Sequence, residues 1–144
     1  MQITMQWALE CLFDDKQMRA ALFAVLISSF AVGCTTLADA RKAEGAGVKR
    51  DYPAPVQQTW DASKNALAKL KLDVASENRQ EGYLLAQRGM TAFSYGENIA
   101  IFIRRKSDAV SSVEVVSKKA MATNIFAPDW SEDIHREIQN ELRR

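Results

Sequence analysis

From Ala20 to Gly33 the chain carries no charged side chain, and this run decides how much of the sequence is left to fold. As a helix its 14 residues span about 21 Å, short of the roughly 30 Å hydrocarbon core of a bilayer. The run has instead the length of a signal-peptide apolar region. The alternative is a buried helix ending at Gly33 beside an inert cysteine, and a small domain would have to cover a helix that is apolar all round. Acidic Glu10, Asp14 and Asp15 precede the run, where a signal peptide wants positive charge, and Lys16 and Arg19 are the basic residues there. Translation is therefore expected to start at Met18, with residues 1–17 and Cys11 lying before the true start.

Ala31-Val32-Gly33-Cys34 resembles the lipobox of bacterial lipoproteins, with Ala31 where that pattern usually has Leu. The resemblance implies that residues 1–33 are removed and that Cys34 is acylated as the first mature residue. Several acyl chains on one residue make attachment effectively permanent, whereas a single chain is marginal. By the same resemblance Thr35, in place of an Asp after the cysteine, implies the outer membrane of a Gram-negative cell, facing the periplasm.

From Cys34 onward about 110 residues remain, enough for one small domain. Their formal charge is near +2, which is no electrostatic footprint for nucleic acid. With Cys34 acylated no second cysteine is left for a disulfide. Residues 34–52 are rich in Ala, Gly, Lys and Arg and nearly free of large apolar side chains, and read as a flexible tether. As a coil the tether would reach on the order of 25 Å.

Pro53 and Pro55 end the tether, and Pro55 suits a helix start. Val56, Trp60, Ser63, Leu67 and Leu70 then recur at helical spacing, with Ala66 alongside. Leu70, Leu72 and Val74 alternate as in a half-buried strand, Glu77 to Gly82 turns the chain, and Tyr83–Arg88 makes a second strand. Asn98–Arg105 forms a third, with Ile99, Ile101 and Ile103 on one face. Ser111–Lys119 forms a fourth, in a hairpin that pairs Ile103 with Val113 and Ile101 with Val115. A last helix places Trp130, Ile134, Ile138 and Leu142 on one stripe, with Asp129 as cap and Glu132 completing a capping-box spacing. The expected fold is α+β over residues 53–144: helix, four-stranded antiparallel meander, helix, with both helices on one sheet face.

Pro55-Val56, Trp60, Ala66-Leu67, Leu70, Leu72, Val74 and Glu81-Gly82-Tyr83-Leu84 resemble an uncharacterised family of small bacterial lipoproteins with a helix–meander–helix domain. More distantly they resemble the repeated domains of a lipoprotein component of the outer-membrane β-barrel assembly machine. The matching positions are core positions, so the resemblance implies a fold more than a function.

Chemistry is hard to find. His135, the single histidine, is expected on the solvated side of the last helix, no set of His, Cys, Asp and Glu has metal-ligand spacing, and no nucleophile or phosphate-loop motif occurs. Neither catalysis nor a cofactor is expected. Arg104-Arg105-Lys106 and Lys118-Lys119 fall at opposite ends of the expected hairpin and form no stripe for a phosphate backbone.

Partner binding is the better reading. Ala100, Phe102 and Val116 point away from the Ile face, leaving the second sheet face unusually apolar. Phe93 and Tyr95 in one loop and Phe126 in another add aromatics suited to contact at low entropic cost. Phe93, Tyr95, Phe102, Val116 and Phe126 are thus the candidate partner-binding residues, with Cys34 the lipidation site. The expected function is a membrane-tethered, non-catalytic module that binds another envelope protein. The alternative is a small-ligand or lipid-binding domain, with a pocket lined by Trp60, Ile101 and Trp130 between helices and sheet.

Overall fold

The computed structural model describes residues 35–89, 96–121 and 128–144. Cys34, the apolar run before it, Phe93, Tyr95 and Phe126 lie outside the described residues.

Beyond Thr36 the chain does not run as a tether. It folds into helix α1 (Leu37–Lys42) and strand β1 (Val48–Tyr52), so the expectation for residues 35–52 is overturned. The cause is local and short-range. Thr36 and Asp39 close a reciprocal capping box, each side chain bonding the other's backbone N–H, and this hydrogen bonding holds the Asp39 carboxyl below its usual range. Leu37, Ala40 and Ala43 then form a small apolar stripe. Two glycines bring the chain round to β1, and their N–H groups donate to one carboxylate oxygen of Glu114, from Gly45 at 2.6 Å and Gly47 at 2.9 Å. Gly47 passes so close that a Cβ there would stand 2.4 Å from the Val115 carbonyl oxygen.

Five strands form one antiparallel sheet in the order β1-β5-β4-β3-β2, where four were expected. The others are β2 (Asp73–Asn78), β3 (Tyr83–Arg88), β4 (Glu97–Arg105) and β5 (Ser111–Lys119). The expected pairs Ile103–Val113 and Ile101–Val115 are both present. Helix α2 (Val56–Lys69) buries Trp60, Ser63, Ala66 and Leu67, as its spacing predicts. Leu70 suits both the helical stripe and the strand alternation, and the helix takes it as its C-cap. Lys71 follows in the left-handed region at φ 56°, so β2 begins only at Asp73 and leaves Val74 40% exposed.

Helix α3 (Ser131–Leu142) starts where Asp129 accepts from the Ser131 N–H at 2.9 Å. Glu132 does not close a capping box: it pairs with Arg50 of β1. Helices α2 and α3 cover one sheet face, as expected, in a core of Trp60, Leu67, Ile99, Ile101, Ile103, Val113, Val115, Trp130, Ile134 and Ile138.

The other face carries a second core. Tyr83, Leu85, Ala100, Phe102 and Val116 are buried together with Ala40, and Leu37 and Ala43 pack against them. Phe102 is 2% and Val116 3% exposed, so neither offers a partner the open surface expected of it. Phe102→Ala should destabilise the domain by about 3–5 kcal/mol, the usual range for emptying a buried aromatic site. Val74→Ala on the edge strand should change stability by no more than about 0.5 kcal/mol. Urea denaturation of both variants checks this, and a Phe102→Ala loss as small as that of Val74→Ala would mean that α1 does not seal this face.

Candidate functional site

Along β4 and β5 the second face changes character at one level. Reading alternate residues, Ala100 and Phe102 give way to Arg104 on β4, and Val116 gives way to Glu114 and Ser112 on β5. Helix α1 covers the apolar half. On the polar half β1 adds Lys49 and Asp51, which pair in register with Glu114 and Ser112. The result is an open basin of about 510 Å³ lined by Lys49, Asp51, Arg104, Lys106 and Ser112.

Each charge in the basin has a partner. Lys106 pairs with Asp51, Arg104 with Glu44 at 2.6 Å, and Lys49 with the buried Glu114 at 3.8 Å. The Lys106 ammonium and the Ser112 hydroxyl, both bonding the Asp51 carboxylate, hold that carboxyl below its usual range. Arg104 also donates to the Gly82 carbonyl at 3.2 Å, which holds its guanidinium at the β3 end of the basin. The two exposed pairs, Lys106–Asp51 and Arg104–Glu44, contribute little to stability, so a partner's carboxylate can exchange for them at small cost. Sequence reasoning missed this group because Lys49 and Asp51 fall in a segment whose composition reads as a tether. The change from apolar to polar residues at i, i+2 along β4 and β5 was the signal that could have marked its position.

The two basic clusters do lie at opposite ends of the β4–β5 hairpin: Arg105 pairs with Ser111, and Glu97 with Lys119. At the β2–β3 turn Glu77 bonds Lys64 at 3.0 Å and Glu81 pairs with Arg41 of α1. Among the described residues no three His, Cys, Asp or Glu gather as metal ligands.

His135 is buried, against the expectation of a solvated residue. It faces β1 rather than solvent. Its Nε2 lies 2.9 Å from the Val48 carbonyl oxygen, which can only accept, so Nε2 carries the proton. Nδ1 then accepts from the Tyr52 hydroxyl at 2.8 Å, and that hydroxyl also lies 3.1 Å from the His135 carbonyl oxygen. The imidazole is thus a bolt between α3 and β1, and both of its nitrogens are occupied. Burial pushes the Tyr52 phenol up to about 12, with Arg50 opposing and Glu132 reinforcing the shift. Burial also lowers the His135 pKa, opposed by the bond to Val48.

No protein-family model matches the chain, and no curated protein matches it.

The buried imidazole makes stability depend on pH with a definite sign. Above about pH 6.5 the histidine is neutral in both the folded and the unfolded chain. Below that value the unfolded chain takes up a proton that the folded one declines, so stability falls. The carboxyls held low by hydrogen bonds, Asp39, Asp51, Glu77 and Glu141, act at lower pH, below their ordinary values of 3.8 and 4.5. Between pH 7 and 5 the loss should therefore belong to His135. Denaturant titrations across that window should show stability falling in the wild type and staying nearly flat in His135→Gln. An equal slope in both would contradict the assignment.

Proposed function

We propose that this chain is a lipid-anchored periplasmic module of a bacterial envelope, acylated at Cys34, that binds another envelope protein and catalyses nothing itself. The resemblance of Ala31–Cys34 to a lipobox supports the anchor, and the Thr35 that follows supports the outer membrane. One observation carries the binding reading: the basin gathers Lys49, Arg104 and Lys106 on the half of the sheet that α1 leaves open, each paired with a carboxylate, and the pairs of Arg104 with Glu44 and Lys106 with Asp51 are exposed enough for a partner's carboxylate to displace. Such a surface suits Asp and Glu side chains on a partner protein. The binding surface is therefore moved from the apolar Phe102 patch to the polar basin beside it.

The ligand-binding alternative needs a pocket lined by Trp60, Ile101 and Trp130. Those side chains are 1%, 0% and 7% exposed and belong to one packed core, so the interaction reading is preferred.

Cross-linking and pull-down from membranes tests the binding reading. Lys49→Glu with Lys106→Glu should abolish recovery of the partner obtained with wild type, while the circular dichroism spectrum is unchanged. Recovery of the same proteins at the same yield would remove the basin from consideration. Cys34→Ser should move the chain out of the membrane fraction; retention there, with no acyl mass on the wild type, would refute the anchor.

A further inference from the structure

Between the end of β1 and the last turn of α3 lies a cleft of about 200 Å³. Its floor is apolar: Tyr52 belongs to the first core, Leu142 packs against that core, and Pro53 adjoins them. Arg50, Gln139 and Arg143 complete the lining. Register sets Arg50 and Tyr52 on the helix side of β1, opposite Val113 and Ser111. Asp51 borders the cleft as well, but its side chain falls on the other face beside Ser112, where the carboxylate pairs with Lys106. One edge strand thus separates the cleft from the basin.

The free charge in the cleft is positive. Arg50 is held by Glu132 in an exposed pair, and Arg143 makes no ion pair among the described residues. The carboxylates of α3 around it are engaged elsewhere, Asp133 with Arg136, Glu137 with Lys69, and Glu141 with Lys69 and Arg144. The negative end of the α3 dipole opposes an anion here, but that effect is smaller than a charge-assisted hydrogen bond.

A volume of 200 Å³ falls below the range of about 300–1,000 Å³ usual for a small-molecule site and suits a single amino-acid residue. An apolar floor beside a free guanidinium asks that residue for an apolar side chain and a carboxylate together. An internal Asp or Glu uses its side chain as the carboxylate and has nothing left for the floor. A C-terminal residue carries both groups on one Cα, and a guanidinium takes a carboxylate through two parallel hydrogen bonds.

We infer that the cleft captures the C-terminal residue of a protein partner, its apolar side chain on Tyr52, Pro53 and Leu142 and its α-carboxylate on Arg143. This rests on the protein-binding reading of the basin and deepens it by naming the part of the partner that is recognised. About three extended residues, at roughly 3.3 Å each, cross the roughly 10 Å depth of a sheet, so acidic residues just before that terminus reach the basin over the β1 edge.

Fluorescence anisotropy of the purified chain in detergent tests this with a fluorescein-labelled peptide, Glu-Glu-Gly-Gly-Gly-Leu, made with a free C-terminus and as its amide. The acid should bind at least about tenfold more tightly than the amide, the worth of one charge-assisted hydrogen bond. Arg143→Gln, an exposed substitution, should erase that difference. Lys49→Glu with Lys106→Glu should weaken both peptides and leave their ratio intact. Equal binding of acid and amide, a ratio indifferent to Arg143→Gln, or binding of neither peptide would overturn the inference. Equal binding of both that is lost on charge reversal in the basin would overturn the cleft and keep the basin. A tenfold ratio with affinities indifferent to that reversal would keep the cleft and remove the basin.

Discussion

The structure depends on one constraint: its central hairpin is apolar on both faces. Ile99, Ile101, Ile103, Val113 and Val115 face one way, and Ala100, Phe102 and Val116 face the other. An antiparallel sheet commonly leaves one face to water, and a strand that cannot do so reads as a nearly unbroken apolar run. Ile99-Ala100-Ile101-Phe102-Ile103 is such a run. Two long helices cover the first face, and the second must be covered by whatever chain remains. That duty falls to the segment after Cys34. Its alanines are not a sign of disorder here, because small side chains let a short helix lie close over Phe102.

Much follows from that cover. Once α1 is placed, the chain must return as an edge strand, and Glu114 is buried to hold the turn between them. The new strand brings Val48 and Tyr52 to His135, which ties the edge of the sheet to α3. It also brings Lys49 and Asp51 beside Arg104, completing the basin. The same step fixes Thr35 at the opposite end of the sheet, which puts the proposed anchor and the proposed binding surface far apart.

What the sequence made legible was what depends on periodicity. The stripe of α2, the β4–β5 register and the stripe of α3 were all readable because each uses large apolar residues at regular spacing. Leu70 shows where periodicity fails, since it fits two patterns and the cap geometry decides between them. The segment 35–52 is illegible by periodicity because its signals are small or polar: a Thr36–Asp39 capping box, a few alanines and a glycine turn. The burial of His135 is illegible for a related reason. Its own helix gives it polar neighbours, and the strand that buries it lies in a segment without apolar periodicity. The candidate basin is illegible without that strand, whereas the proposed lipidation at Cys34 rests on the sequence alone.

The central claim is that residues 35–52 are part of the fold and seal its second face. Hydrogen exchange of the native protein, followed peptide by peptide, measures this directly. If the claim is right, the amides of α1 and β1 exchange slowly, with protection approaching that of β5. Exchange of that segment at the rate of a free coil, while β4 and β5 stay protected, would contradict it.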